Sequence, residues 1–526
     1  MEYLVTGTEM KEYDKNTTER LQMPSLVLME RAALVTVEQI KQEKGDYKYR
    51  VLVVAGCGNN GGDGFAIGRL LLLQGYQVDF VLVGEEEKCS EETACQLAIL
   101  SQYGHCPYDR IPDAEYDIVI DALFGVGLSR NIEGIYEEAV DTMNQLHCYV
   151  CSVDIPSGIH AGTGEVLGCA VRADLTVTYG FYKLGEFLYP GAGYCGKIIC
   201  GQIGIDEYSF MGRKPYCYTY RNDMDIALPE RRRDGNKGTF GKVLVIAGSD
   251  TVCGAALMAC QSAFRMGAGM VKAVTSRKNR VALSQTVPEA MVTVYDTGLW
   301  EEEGPDARFL AEFETALSWA DCILIGPGIG LGKEAEWMLR YCIEKNMLPM
   351  VVDADALNLL AENEGLLNTL RKSITDGRIV DDASKKEQRD VILTPHMAEF
   401  ARLYHCTVPE AARNILQYPQ ELADKTQCVV VCKDVRTVVA KPQGDHLYIN
   451  TTGNDGMATA GSGDVLAGMV TGLLVQGAQA ADAAILGVYL HGVAGDLAAG
   501  RYGRYSMLAR DIIGQIPDSL AQTGYS

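Results

Sequence analysis

Short apolar runs alternate with longer amphipathic stretches along most of the chain. In the first half the pattern predicts strands over residues 49–55, 77–83, 116–121, 148–154, 174–179 and 197–203. Helices are predicted over 65–74, 90–102 and 133–146. Residues 1–45 read as helical, with a second helix opening at Met23-Pro24-Ser25 and carrying Leu28, Met29, Ala32 and Ala33 on one face. Strands that are apolar throughout, alternating with helices, predict a parallel sheet covered on both faces. The rhythm breaks over 207–240, which is Tyr-rich and charged, and places a domain junction near 211–225. A second alternation follows. Strands are expected over 242–247, 270–275, 320–325, 349–353, 391–393, 428–433, 437–441 and 446–449, with helices over 255–266, 465–475 and 478–499. The fold class is therefore α/β with two domains, 1–217 and 225–526.

Composition narrows the function classes. A chain of 526 residues exceeds what one core supports. Lys+Arg of 47 against Asp+Glu of 69 gives a net charge of −22, which repels nucleic acid and anionic membranes. An anionic ligand then needs helix N-termini and a few well-placed cations. Neither a signal peptide nor an apolar run of membrane-spanning length is read from the chain. The 17 cysteines lie mostly within apolar runs, as reduced core thiols of a cytoplasmic protein do. Cys148 and Cys151 fall on an expected strand, a poor setting for a redox pair.

Punctuation sits just past the strand ends, where open α/β sheets bind ligands. After the first strand comes Gly56-Cys57-Gly58-Asn59-Asn60-Gly61-Gly62-Asp63-Gly64, whose spacing departs from a dinucleotide fingerprint. Asn59, Asn60 and Asp63 supply oxygens suited to a hard cation or a ribose. Asp121 ends the third strand and is followed by Gly125-Val126-Gly127-Leu128-Ser129-Arg130-Asn131, read as a phosphate cradle opening the next helix beside a cation. Asp154-Ile155-Pro156-Ser157-Gly158 ends the strand after it. Any one of these is an ordinary turn cap; three successive strand ends make a site.

With Leu28-Met29-Glu30-Arg31-Ala32, these motifs resemble the NAD(P)H-hydrate epimerase (YjeF N-terminal) family over roughly residues 1–215. The resemblance implies a Rossmann-like three-layer domain that interconverts the R and S forms of 6-hydroxylated NAD(P)H. It implies a potassium ion held by Asn60, Asp121 and Ser157. It also implies hydrate contacts from Asn59, Asn60, Gly61, Gly62, Asp63, the seven residues Gly125 to Asn131, and Asp154, the leading acid/base candidate. Opening and reclosing the bond between ring nitrogen and hydroxyl-bearing carbon needs a proton moved by a positioned carboxylate and no redox step.

In the second half the densest signal is 453–468, a glycine-rich turn running into an apolar helix. Such a turn leaves backbone N–H groups facing outward, a cradle for phosphate. Asp464 at the helix start is ill placed to bind an anion and suits a base that takes a proton from an attacking hydroxyl. Together with Gly254-Ala255-Ala256, Gly326-Pro327-Gly328-Ile329-Gly330, Asp353-Ala354-Asp355, Thr394-Pro395-His396 and Lys433-Asp434-Val435-Arg436-Thr437, it resembles the ADP/ATP-dependent NAD(P)H-hydrate dehydratase family, of ribokinase-like fold, over roughly 225–520. The fusion of the two in this order resembles the bifunctional hydrate-repair family.

By that resemblance Ala255, Gly328, His396 and Asp464 line the hydrate site. Lys433, Asp434, Val435, Arg436, Thr437 and Gly463 hold the adenine nucleotide, and the N–H groups of 460–463 form an anion hole. The expected reaction uses ADP (or ATP) with Mg²⁺ to phosphorylate the C6 hydroxyl, then eliminates phosphate. The resemblance to bacterial and archaeal fusions favours ADP. Asp434 after Lys433, and Asp455 where a Pro is common, depart from the family pattern. His396 also has a plain reading as a helix N-cap neighbour after Pro395. Homo-oligomers are expected from both families. The alternative is a ribokinase-like kinase of a small vitamin alcohol with a nucleotide-binding scaffold domain.

Overall fold

The computed structural model describes residues 1–45, 47–221, 227–298, 300, 304–376, 378–379, 386–387 and 389–522. The chain forms two compact units, Glu2–Tyr218 and Thr219–Ser526. Part of the expected junction, residues 222–225, lies outside the described residues.

The first unit is built on a six-stranded parallel sheet. Its strand order is Gln77–Leu82, Arg50–Ala55, Ile118–Ala122, Tyr149–Val153, Leu175–Tyr179, Lys197–Gly201. The order turns back at Arg50–Ala55, so a crevice opens between the C-terminal ends of that strand and Ile118–Ala122, the topological switch point of such a sheet. Residues 51–55 are wholly buried, as the unbroken apolar run requires.

Three readings need correction. Residues 1–45 are not helical from the start: Glu2–Val5 is a strand that pairs in parallel with Tyr182–Lys183, Val5 opposite Lys183. A helix follows at Gly7–Glu19, where Thr6 and Glu9 form a capping box. The helix expected over 65–74 begins earlier, at Asn59, and runs to Leu73. Its glycines are there for close approach to the sheet. A Cβ at Gly61 would lie 1.8 Å from the Gly56 carbonyl oxygen, and one at Gly64 would lie 2.4 Å from Ala122 Cβ. Finally, 125–131 opens no helix. The next helix is Ile135–Gln145, with Gly134 at its N-cap, so a helix dipole does not serve that loop.

The second unit carries strands in the order Met291–Tyr295, Met270–Ser276, Lys242–Ile246, Cys322–Ile325, Met350–Val352, Val391–Leu393, Val429–Cys432, Val438–Ala440, Leu447–Ile449. The first seven are parallel and the last two close an antiparallel meander. Here the order reverses at Lys242–Ile246, so the crevice lies past the ends of that strand and Cys322–Ile325. Helices Gly254–Arg265 and Ser462–Leu474 pack face to face. Glycine makes that approach possible: a Cβ at Gly468 would fall 2.0 Å from Ser262 Oγ. The helix expected over 465–475 thus starts at Ser462, which makes Asp464 its third residue. Helix Ala480–Tyr502 is long and apolar enough to cross a membrane by length and composition, but most of it is buried within the protein.

Candidate active sites

The crevice of the first unit is a cleft of about 670 Å³. Asn59, Asn60, Asp63, Asp154 and the loop residues Gly125, Val126, Gly127, Leu128, Ser129 and Arg130 line it, joined by Lys11, Asp14 and Tyr179. Gly61, Gly62 and Asn131 stand off the lining.

Asp154 sits on an unusual turn. The Ile155 N–H donates to the Val153 carbonyl at 2.9 Å, and Asp154 has φ +68°. This is a γ-turn in the left-handed region, which costs about 1–3 kcal/mol for a residue with a Cβ. It swings the carboxylate out past the end of strand Tyr149–Val153. There Oδ2 accepts the Val126 N–H at 3.1 Å, and Oδ1 lies 2.6 Å from Lys183 Nζ. Gly125 is glycine for space, because a Cβ there would meet Asp154 Oδ2 at 2.8 Å. Asp63 faces the same cleft; burial, then Asp154 and Asp14, push its carboxyl well above the usual range.

Behind the cleft, Asp121 is fully buried. Its Oδ2 accepts from Ser152 Oγ at 2.7 Å and the Ser157 N–H at 2.9 Å, and its Oδ1 accepts from Ser157 Oγ at 2.5 Å. The Ser157 hydroxyl can turn instead to the Phe124 carbonyl, 3.2 Å away. Asn60, by contrast, buries both polar atoms of its amide without a hydrogen-bond partner. An unpaired buried amide costs about 1–3 kcal/mol, which marks the place where a ligand belongs.

In the second unit, Ala255 and Gly328 meet at the switch point. A Cβ at Gly328, whose φ is +60°, would lie 3.0 Å from Ala255 Cβ. Asp464 stands in the first turn of Ser462–Leu474, a helix whose N-cap, Gly461, offers no side-chain cap to the leading N–H groups. Burial, then Asp353, pushes its carboxyl up to about 7, with Lys433 opposing. Lys433 Nζ is 2.7 Å from Asp353 Oδ1, which also accepts from Thr394 Oγ1 at 2.7 Å. His396 is itself the N-cap of Met397–Tyr404. Its Nδ1 accepts from the Ala398 and Glu399 N–H groups, and its backbone bridges to Lys433. Burial and the nearby Lys433 hold its pKa below the ordinary value, so the ring is a neutral capping group. Asp434 and Val435 are exposed on the turn between two antiparallel strands, which keeps the Asp434 charge in solvent. Arg436 reaches the Thr451 carbonyl at 3.5 Å, and Thr437 Oγ1 the Asp434 carbonyl at 3.4 Å.

Sequence reading missed Lys183 as a site residue, and Asp353 as the partner of Lys433. Asp353 had a signal, an acid ending a strand. Lys183 had none, because its strand and its partner strand were unrecognised. Among the described residues, no three His, Cys, Asp or Glu side chains gather as a metal cluster.

The folds and the two sites define an enzyme of two α/β domains, one presenting the Asp154 carboxylate at the switch point of its sheet and the other the Asp464 carboxylate in the first turn of a helix without a side-chain cap. The model of the YjeF-related protein N-terminus matches residues 25–185, and that of NAD(P)H-hydrate dehydratase matches residues 243–518. The bifunctional NAD(P)H-hydrate repair enzyme of Moorella thermoacetica is 34% identical over 98% of this chain and 96% of its own. That of Escherichia coli is 33% identical over 88% of this chain and 83% of its own. A solved structure of the ADP/ATP-dependent NAD(P)H-hydrate dehydratase from Bacillus subtilis shares 29% identity over 56% of this chain and 94% of that one, with a TM-score of 0.45. The chain belongs to the bifunctional NAD(P)H-hydrate repair enzyme family. Matches that span both domains leave no role for the first as a passenger of a vitamin kinase.

Proposed function

We propose that the two domains act in sequence on a hydrated nicotinamide cofactor. The first domain interconverts the R and S hydrates, and the second returns the S form to NAD(P)H. The observation that carries this reading is the pair of carboxylates: Asp154 lines the cleft at the switch point of the first sheet, and Asp464 stands in the first turn of a helix without a side-chain cap, beside Asp353 and Lys433. Asp154 serves the first site. It takes the proton of the C6 hydroxyl as C6 becomes a carbonyl and the pair of the bond from C6 to the ring nitrogen passes to nitrogen; when nitrogen closes onto the other face of that carbonyl, the proton returns to the C6 oxygen.

A potassium ion is the fitting occupant beside Asp154. Asn60, Asp121 and Ser157 offer only oxygen donors around an amide that is otherwise unpaired. An ion there would supply fixed positive charge next to the loop that receives the hydrate. Asp121 can receive it once the Ser157 hydroxyl turns to Phe124.

In the second domain Asp464 takes the C6 hydroxyl proton, and the oxygen attacks the terminal phosphoryl group of an adenine nucleotide bound along Lys433 to Thr437 and at Gly463. The N–H groups at the start of Ser462–Leu474 receive the transferred phosphate. Phosphate then leaves, expelled by the lone pair of the ring nitrogen, and loss of a C5 proton restores the dihydropyridine. Mg²⁺ on the nucleotide offsets its charge, a need sharpened by the protein's own −22. The setting is cytoplasmic and the assembly a homo-oligomer.

Racemic NADPH hydrate supplied with Mg²⁺ and either ADP or ATP tests both halves, with dihydronicotinamide absorbance as the readout. Full recovery is expected, faster with ADP. Recovery of half the hydrate removes the epimerase, and no recovery with either nucleotide removes the dehydratase.

A further inference from the structure

We infer that Lys183 is a positioning residue of the epimerase site, whose ammonium aims the Asp154 carboxylate and supplies its counter-charge. The inference rests on the proposed role of Asp154.

Lys183 is wholly buried, which is rare for lysine unless it is paired. Its ammonium has three N–H bonds, and the structure accounts for all of them: Asp154 Oδ1 at 2.6 Å, Thr178 Oγ1 at 2.6 Å and the Tyr179 carbonyl at 3.1 Å. None is left to reach substrate, and none of the side chain is open to the cleft. Thr178 and Tyr179 belong to strand Leu175–Tyr179, next to strand Tyr149–Val153, which Asp154 follows. The ammonium therefore fixes the carboxylate against the frame of the sheet. The lysine backbone is equally constrained. It pairs with Val5 of the N-terminal strand, and its N–H donates to Glu186 Oε2 at 2.8 Å.

Stability alone does not account for this arrangement. A buried ion pair generally stabilises no more than apolar side chains of the same volume would. Here the pair also ends on a residue in a strained γ-turn at the mouth of a cleft. Strain of this kind persists where the surrounding structure imposes it, and it gathers at working sites. Lys183 and the Val177 carbonyl, which accepts the Asp154 N–H at 2.8 Å, are the groups that impose it. With Oδ1 engaged by the lysine, Oδ2 is the oxygen turned to Gly125 and Val126, on the wall where the hydrate is placed.

The test is Lys183→Met in the full chain, with R hydrate as substrate and nucleotide and Mg²⁺ in excess. Turnover of S hydrate by the second domain of the same chain is the internal reference. The kcat for R hydrate is expected to fall about hundredfold, the scale of a misplaced acid/base group, with KM within about threefold of wild type. A kcat within about threefold of wild type, or a loss carried by KM alone, overturns the inference. If amide exchange shows strand Arg50–Ala55 unprotected in that variant, Thr178→Val gives the reading instead. It removes one tether of the ammonium while keeping its shape, and is expected to lower kcat about tenfold at constant KM. An unchanged kcat there overturns the inference. Failure of the parent reading looks different: Asp154→Asn would leave R-hydrate turnover at the wild-type rate.

Discussion

Lys433 Nζ, held 2.7 Å from Asp353, also faces Gly463, where an added Cβ would lie 3.3 Å from the ammonium. One cation thus touches the acid that ends strand Met350–Val352 and the start of helix Ser462–Leu474. Gly463→Ala puts a methyl group between that cation and the anion-binding turn. Dehydratase kcat/KM for the nucleotide should drop about 10- to 100-fold, about 1.4–3 kcal/mol of lost transition-state binding. Epimerase turnover in the same chain is the reference and should not move.

The proposed role of Asp464 as base predicts a pH dependence. A base must be deprotonated, and burial with Asp353 and Asp355 raises this carboxyl to about 7 while Lys433 opposes. Dehydratase kcat/KM should therefore rise about tenfold per pH unit below that value and level off above it. Lys433→Met removes the opposing charge, so the midpoint should move upward. The sign for stability follows from a folded pKa above the unfolded one. The contribution is fully favourable below the unfolded pKa near 3.8 and is lost as pH climbs towards 7. Asp464→Asn should thus be about 1–3 kcal/mol more stable than wild type at pH 8, converging with it near pH 4, as measured by denaturant melts.

Gly328 gives a steric prediction. Its φ of +60° disfavours any side chain, and a Cβ would lie 2.7 Å from Val252 Cγ1. Gly328→Ala should cost about 1–2 kcal/mol from the backbone alone. It should also raise KM for S hydrate, because the methyl intrudes where Ala255 and Gly328 meet. A melt and a saturation curve on one sample separate the two effects.

Why some of this was legible in the sequence and some was not has physical reasons. Strand ends were readable because parallel strands are apolar throughout, so Asp121, Asp154 and Asp353 stand out as the first charges after an apolar run. The start of helix Asn59–Leu73 was not. Glycine is a poor helix former, yet Gly61 and Gly64 are helical because the helix sits too close to the sheet for any Cβ. Lys183 was hidden for another reason. Its strand is two residues long and exists only through pairing with Glu2–Val5, a contact no local periodicity reports. His396 was legible as a neighbour of a helix cap but not as the cap itself or as a neutral ring; its state depends on burial and then on Lys433, remote in sequence.

The last prediction concerns the unpaired amide of Asn60. A buried group left without partners is explained by an occupant, and its oxygen shares a neighbour with the Asp154 carboxylate: a Cβ at Gly125 would lie 3.2 Å from Asn60 Oδ1 and 2.8 Å from Asp154 Oδ2. If potassium is that occupant, conversion of R to S hydrate should fall at least about tenfold when potassium is replaced by tetramethylammonium, which is too large to be held by the same oxygens. Asn60→Ala removes one donor and leaves Asp121 and Ser157 in place. It should raise the potassium concentration for half-maximal epimerisation by about tenfold or more, about 1.4 kcal/mol of lost ion binding. Maximal turnover at saturating potassium should change less. A half-activating concentration equal to that of wild type would remove Asn60 from the ion site and leave its amide to the hydrate.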